Sequence, residues 1–169
     1  MKDVVIVNGA RTPVGRFGGV FKDMRGSDLG AIAIAAALTR SGVAPEMVDE
    51  VILGNVLQAA ETGYMARRAM LAAGIPASVP AMTVNRACSS GLESINLAVQ
   101  SIMTGESEVV VAGGAESMSQ SPYLMIGHRF DGPRMGDVTL TDSLVMGLTC
   151  PIHDYHMGVT AENVAEQFD

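Results

Sequence analysis

The sequence predicts an α/β fold, a mostly parallel sheet with packed helices, and three observations carry that expectation. Short β-branched or apolar runs at 4–7, 48–53, 79–84 and 108–112 read as strands. They alternate with longer stretches whose apolar residues recur at three- and four-residue spacing, the period of a helix. The composition, 48% hydrophobic and 17% charged over 169 residues, is that of a compact domain rather than a disordered chain. In such a layer the crossovers are right-handed, and the ends of 79–84 and 108–112 should lie at one edge of the sheet, where α/β proteins place their sites.

Taken in order, Val4-Val5-Ile6-Val7 is a continuous β-branched run of the kind expected in a strand covered on both faces. Gly15 to Gly19 follow as a glycine-rich turn without the spacing of a nucleotide-binding loop. Ser27 reads as the N-cap of a helix that continues through Ala31, Ile34 and Leu38 to Gly42, and its alanine density implies close packing. The run 48–53 is the second strand, ended by Gly54-Asn55. Residues 66–73 form the next helix, closed by Gly74, with Arg67 and Arg68 solvated or paired. Pro76 and Pro80 delimit the approach to the strand 79–84.

The helix 91–103 is unusually apolar: Leu92, Ile95, Leu97, Ala98, Val99, Ile102 and Met103 cover more than half its circumference, which predicts cover on more than one side. Thr104-Gly105 ends it, and the strand 108–112 is stopped by Gly113-Gly114. From 119 to 150 the chain changes to a glycine- and proline-bearing excursion with a short helix at 141–146. Thr160 then reads as an N-cap, with Ala161, Val164, Ala165 and Phe168 at helical spacing up to Asp169; without a stop signal, the end reads as cut rather than finished.

With 4% aromatic residues and no tryptophan, aliphatic residues, alanine and the 12 methionines are expected to fill the core. A formal net charge of -7 disfavours nucleic-acid binding, and an anionic ligand would have to be drawn by local groups. The longest apolar run, 29–38, is too short for a bilayer, and the N-terminus lacks a signal-peptide pattern, so no membrane is implied and a cytoplasmic location is the default. Cys88 and Cys150 do not make a disulfide framework.

The chemistry concentrates at Asn85-Arg86-Ala87-Cys88-Ser89-Ser90-Gly91, between a strand and a helix. Cys88 stands at or just before a helix N-terminus, where free backbone N–H groups and the helix dipole favour negative charge and thiols ionise more readily. The position suits nucleophilic attack on a carbonyl carbon, and the same amides could hold the resulting oxyanion. Gly91 and the two serines leave room for a substrate against the backbone. The competing reading is a small hydrophobic cysteine, since this stretch supplies no base. His153 and His156, three apart, would need further ligands to form a metal site, and none accompanies them.

The Asn85–Gly91 stretch resembles the nucleophile motif of the thiolases. Asn8-Gly9-Ala10-Arg11-Thr12-Pro13, Gly113-Gly114-Ala115-Glu116-Ser117-Met118-Ser119, Met135-Gly136-Asp137 and Tyr155-His156-Met157-Gly158-Val159-Thr160-Ala161-Glu162-Asn163 match in the same order. The resemblance covers nearly the whole chain but less than half of a thiolase. It implies a thiolase-like layered fold, the first of two repeated core domains at 1–118 and the beginning of the loop domain at 119–169. Cys88 is then the acyl-carrying nucleophile, while His156, Met157 and, less directly, Leu148 contact coenzyme A.

Acetyl-CoA and acyl-CoA are the implied substrates, with no metal or redox cofactor. The implied partners are the missing C-terminal half, in the same or another chain, and further copies in a dimer or tetramer. A Gly-His-Pro histidine, a second cysteine and a water-orienting asparagine would come from that half, so this chain alone is expected to lack turnover; the apolar helix after Cys88 would pack there against its counterpart, so half of its cover is expected to be absent as well. His128, Arg129 and Arg134 either attract coenzyme A phosphates or a neighbouring subunit, or form ordinary surface pairs; the resemblance favours a role in assembly near the site. A ketoacyl synthase on the same fold and a non-catalytic binding or assembly module are the competing readings; the Tyr155-His156-Met157-Gly158 and Gly113-Gly114-Ala115-Glu116 segments favour thiolase over the synthase.

Overall fold

The computed structural model describes residues 3–168, in two compact units, Met1–Gln120 and Ser121–Asp169. In the first, helix α1 (Gly26–Ser41) precedes strand β1 (Glu50–Gly54), helix α2 (Met65–Ala72), strand β2 (Ala81–Val84), helix α3 (Ser90–Thr104) and strand β3 (Val110–Gly114). The sheet order is β2-β1-β3 with both pairings parallel, as the alternation predicts. Gly54 is level with Val84 on one side and with Gly114 on the other, so all three strands end at one edge.

β1 is central, and its Val51, Ile52 and Leu53 are buried, which is why it reads as an unbroken apolar run. Ile34 and Leu38 of α1 and Met65, Ala66, Ala69 and Met70 of α2 join Val51 and Leu53 in the core. The alanine-rich helices do pack closely: a Cβ on Gly30 would stand 3.2 Å from that of Ala69. Of the methionines, Met65 and Met70 fill the core, whereas Met47, Met82, Met103, Met118, Met125 and Met135 are exposed, contrary to the general expectation.

The helix ends follow local chemistry with one correction. α1 stops at Gly42, whose φ of 68° is the left-handed conformation glycine supplies, and α3 stops likewise at Gly105 with φ 81°. The N-cap of α1 is Arg25 rather than Ser27. The Asp28 carboxylate accepts from Arg25 N–H at 2.9 Å, and the buried Glu61 carboxylate accepts from Ser27 N–H at 3.0 Å, so a distant side chain performs the capping assigned to Ser27. Glu61 in turn holds Arg68 at 3.2 Å. Arg67 donates to the carbonyls of Ala77 and Val79, both at 2.7 Å, fixing the approach to β2.

One other expectation changes. Residues 4–7 form no strand; Val5, Ile6 and Val7 lie exposed along a groove of about 480 Å³ that Ile34, Ile95 and the β3 residues Val110 and Val111 also line. One side of α3 meets the sheet, with buried Ser94 Oγ 2.8 Å from Gly113 O, while Leu92, Ile95 and Met103 are exposed, in keeping with cover expected from the missing half.

In the second unit, β4 (Tyr123–Leu124) pairs antiparallel with β5 (Thr141–Asp142), and helices α4 (Ser143–Gly147) and α5 (Met157–Phe168) follow. The predicted helix at 141–146 thus begins two residues later, because Asp142 caps it and accepts from Leu144 N–H at 2.9 Å. Thr160 lies inside α5. His156 Nδ1 accepts from Gly158 N–H at 3.0 Å and satisfies a donor in the first turn instead.

Candidate active site

The carboxyl edge of the sheet gathers three chain segments: Asn55 to Leu57 after β1, Asn85 to Ser89 after β2, and Ala115 to Ser117 after β3. Between β2 and α3 the chain has only five residues in which to reverse from strand to helix. Ala87 makes the reversal with φ 48°, in the left-handed region that residues bearing a Cβ seldom enter. Cys88 follows it, exposed, immediately before the α3 N-cap Ser89. The expected location of the cysteine, beside a helix N-terminus, is therefore what the fold produces.

Side chains on both sides hold the turn. Asn85 Oδ1 accepts from Ala87 N–H at 3.0 Å. Ser90 Oγ accepts from Arg86 N–H at 2.8 Å and donates to Ala87 O at 2.6 Å. Arg86 reaches forward to Glu93 at 2.7 Å, turning its charge along the helix. Nothing lies within 4 Å of a Cβ built on Gly91, so the helix surface next to Cys88 is open.

The segment after β1 is tied across to that after β3. Glu116 accepts from Val56 N–H at 2.8 Å, from Leu57 N–H at 3.3 Å and from Asn55 Nδ2 at 2.6 Å. Burial pushes its carboxyl above the ordinary value, although these three bonds pull the other way. Asn85 Nδ2 donates to Val56 O at 3.3 Å, joining the third segment to the other two.

Of the residues expected to act, Cys88 belongs to the first unit and Leu148, His156 and Met157 to the second. The latter three are brought together. Met157 N–H donates to Leu148 O at 2.8 Å, and Thr149 and His156 form an antiparallel bridge. Cys150, without a motif, is half-buried, and its N–H donates to Tyr155 O at 2.8 Å within the same turn. The His153 and Tyr155 rings stack with centroids 5.5 Å apart. Among the described residues, no three His, Cys, Asp or Glu side chains are grouped to hold a metal.

Asn85 and Glu116 stand within the matched motifs, and no role for either is read there. For Asn85 a signal existed, since an asparagine two residues before a turn amide often accepts from it. For Glu116 there was none, because its partners are about sixty residues away and no periodicity links them.

Comparison with known proteins matches residues 4–169 to the family model described as thiolase, N-terminal domain. The chain is 52% identical to an acetyl-CoA acetyltransferase of Cupriavidus necator and to a probable acetyl-CoA acyltransferase of Staphylococcus epidermidis, with 99% of this chain aligned in each case. It spans 43% of the length of these curated relatives. The crystal structure of the Bacillus anthracis acetyl-CoA acetyltransferase superimposes with a TM-score of 0.91 at 44% identity, over 97% of this chain and 41% of that one.

Proposed function

This chain belongs to the thiolase family, whose N-terminal domain it matches, and from that premise we propose that Cys88 is the acyl-accepting nucleophile of an enzyme that forms or cleaves 3-ketoacyl-CoA. The observation that carries the reading is the exposed Cys88 thiol on the turn between β2 and the start of α3, with open space beside it at Gly91. An acyl thioester can approach there without meeting a bulky side chain.

In the first step the Cys88 thiolate attacks the carbonyl carbon of an acyl-CoA. The new C–S bond to Cys88 forms as the bond to coenzyme A sulfur breaks, and coenzyme A leaves as its thiol after taking up a proton. The Cys88 backbone N–H is one donor to the oxyanion that forms on the way. In the second step acetyl-CoA, deprotonated at its α-carbon, attacks the thioester carbon. The bond to Cys88 breaks, the thiolate returns and 3-ketoacyl-CoA is released; the reverse sequence cleaves it. The base for each proton and the second oxyanion donor belong to the remaining thiolase sequence, where the family resemblance puts the Gly-His-Pro histidine, the second cysteine and the asparagine.

Leu148, His156 and Met157 contact coenzyme A in this reading, with residues 119–169 as the beginning of the loop domain. Coenzyme A thioesters are substrates, and no other cofactor is required. A cytoplasmic, homo-oligomeric enzyme of fatty acid metabolism, dimeric or tetrameric, completes the proposal.

The test is the intact mass of the denatured protein after incubation of the native enzyme with acetyl-CoA. One added acetyl group on this chain, absent in Cys88→Ala, is expected. A folded enzyme that turns over without acetylating Cys88, or whose Cys88→Ala variant is still acetylated equally, overturns the assignment.

A further inference from the structure

We propose that Asn85 is a positioning residue for Cys88: its side-chain amide holds the left-handed turn at Ala87 and ties that turn to the segment following β1. The inference rests on the reading of Cys88 as the nucleophile. It adds a residue to which that reading gave no task.

The geometry is a clasp with two ends. Asn85 Oδ1 takes the Ala87 N–H at 3.0 Å, and Nδ2 gives a hydrogen bond to Val56 O at 3.3 Å. Val56 is itself fixed, since its N–H is held at 2.8 Å by Glu116 from beyond β3. One run of bonds therefore links the extensions of all three parallel strands and ends at the residue before the nucleophile. Ala87 needs such a hold, because its φ of 48° is disfavoured for a side chain with a Cβ. Released, the residue would relax toward negative φ and swing the adjoining Cys88 away from the first turn of α3.

Ser90 supports the same turn from within the helix, by its bonds to Arg86 N–H and Ala87 O. These two bonds keep the segment folded when Asn85 is shortened. They do not replace the acceptor for Ala87 N–H or the tie to Val56. Loss of Asn85 should therefore misplace the thiol rather than unfold the domain.

The experiment measures single-turnover acetylation of residue 88 by acetyl-CoA in the native enzyme, together with thermal stability. Asn85→Ala should lower the maximal rate by roughly tenfold or more, since displacements near 1 Å at a reacting centre can cost about a hundredfold, with the half-saturating acetyl-CoA concentration unchanged. Glycine adopts positive φ freely. In an Ala87→Gly background the same substitution should consequently cost less than about threefold, a coupling that independent structural losses do not produce. Equal losses in both backgrounds, or an effect confined to half-saturation or to stability, overturn the proposal.

If Asn85→Ala does not fold, Asn85→Ser carries the test. It keeps an acceptor for Ala87 N–H but cannot reach Val56, and an undiminished rate overturns the tie. If the unaltered enzyme is not acetylated at Cys88, the functional reading has failed, and the clasp is judged by the rate of Cys88 alkylation with iodoacetamide. That rate must still fall in Asn85→Ala and depend on residue 87 in the same way; if it does not, the clasp fails too.

Discussion

Gly54 and Ser90 meet backbone to backbone: a Cβ built on Gly54 would stand 2.6 Å from the Ser90 carbonyl carbon and 2.8 Å from Ser90 Cβ. The last residue of the central strand thus sets how near the first turn of α3, and with it Cys88, comes to the sheet. Neither atom is the end of a flexible side chain, so Gly54→Ala has to push the helix. We expect a loss of about 2 kcal/mol or more in chemical denaturation and a slower acetylation of Cys88. Gly113→Ala is the control, since its Cβ would meet only Leu53 Cδ2 at an ordinary 3.8 Å. Equal effects of the two substitutions would count against the close approach as the cause.

Gly91 makes the opposite case. No atom lies within 4 Å of a Cβ placed there, and the residue is in the first turn of α3. Gly91→Ala should leave stability unchanged or raise it by up to about 1 kcal/mol, because alanine loses less backbone entropy in a helix. If the open space admits the acyl group, the same substitution slows acetylation. Unfolding by urea and the single-turnover rate, measured on one preparation, separate the two effects. A destabilised Gly91→Ala contradicts the open surface.

What could be read from the sequence was whatever local chemistry decides. The spacing of Ile34 and Leu38, the stop at Gly42 and the place of Cys88 between strand and helix needed no distant information. Residues 4–7 misled because a β-branched run specifies an extended chain and apolar contact, whereas a strand also needs a hydrogen-bonding neighbour, which local sequence cannot name. The exposed Leu92 and Met103 agree with cover expected from the missing half, as an apolar helix face states a demand for cover without supplying it. Ser27 lost its capping role to Glu61, and Val56 is anchored by Glu116; both partners come from other elements. At the candidate site, the place of Cys88 before α3 was legible, whereas the side chains that hold its turn were not.

Two carboxyl groups should leave opposite marks on the pH dependence of stability. Glu116 is raised above the ordinary 4.5, chiefly by burial, so the folded protein holds that proton more tightly than the unfolded chain does. Its contribution is fully present below 4.5 and is lost as pH rises through the raised value. Asp49 is lowered from 3.8, first by the hydrogen bond from Glu108 N–H and then by that from Val109 N–H. Its contribution is present above 3.8 and lost as pH falls through the depressed value. Urea midpoints followed against pH should show Glu116→Gln flattening the fall on the upper side and Asp49→Asn flattening the fall at the acid end. A slope unchanged in either variant rules out that group as its source.

Met157 offers the sharpest separation of ligand binding from architecture. Its main-chain N–H holds Leu148 O at 2.8 Å, and substitution of the side chain leaves that bond available. The residue is 41% exposed, so part of it is open to a ligand. If Met157 packs against coenzyme A, Met157→Ala removes apolar contact worth about 1–2 kcal/mol, or roughly a tenfold rise in half-saturating acetyl-CoA. The maximal rate of Cys88 acetylation should hold, because the lost contact is made equally in the ground and transition states. Val164→Ala, also on α5 and exposed, should change neither parameter. A lower maximal rate with unchanged saturation would instead place Met157 near the reacting carbon, and no change in either would remove it from the coenzyme A site.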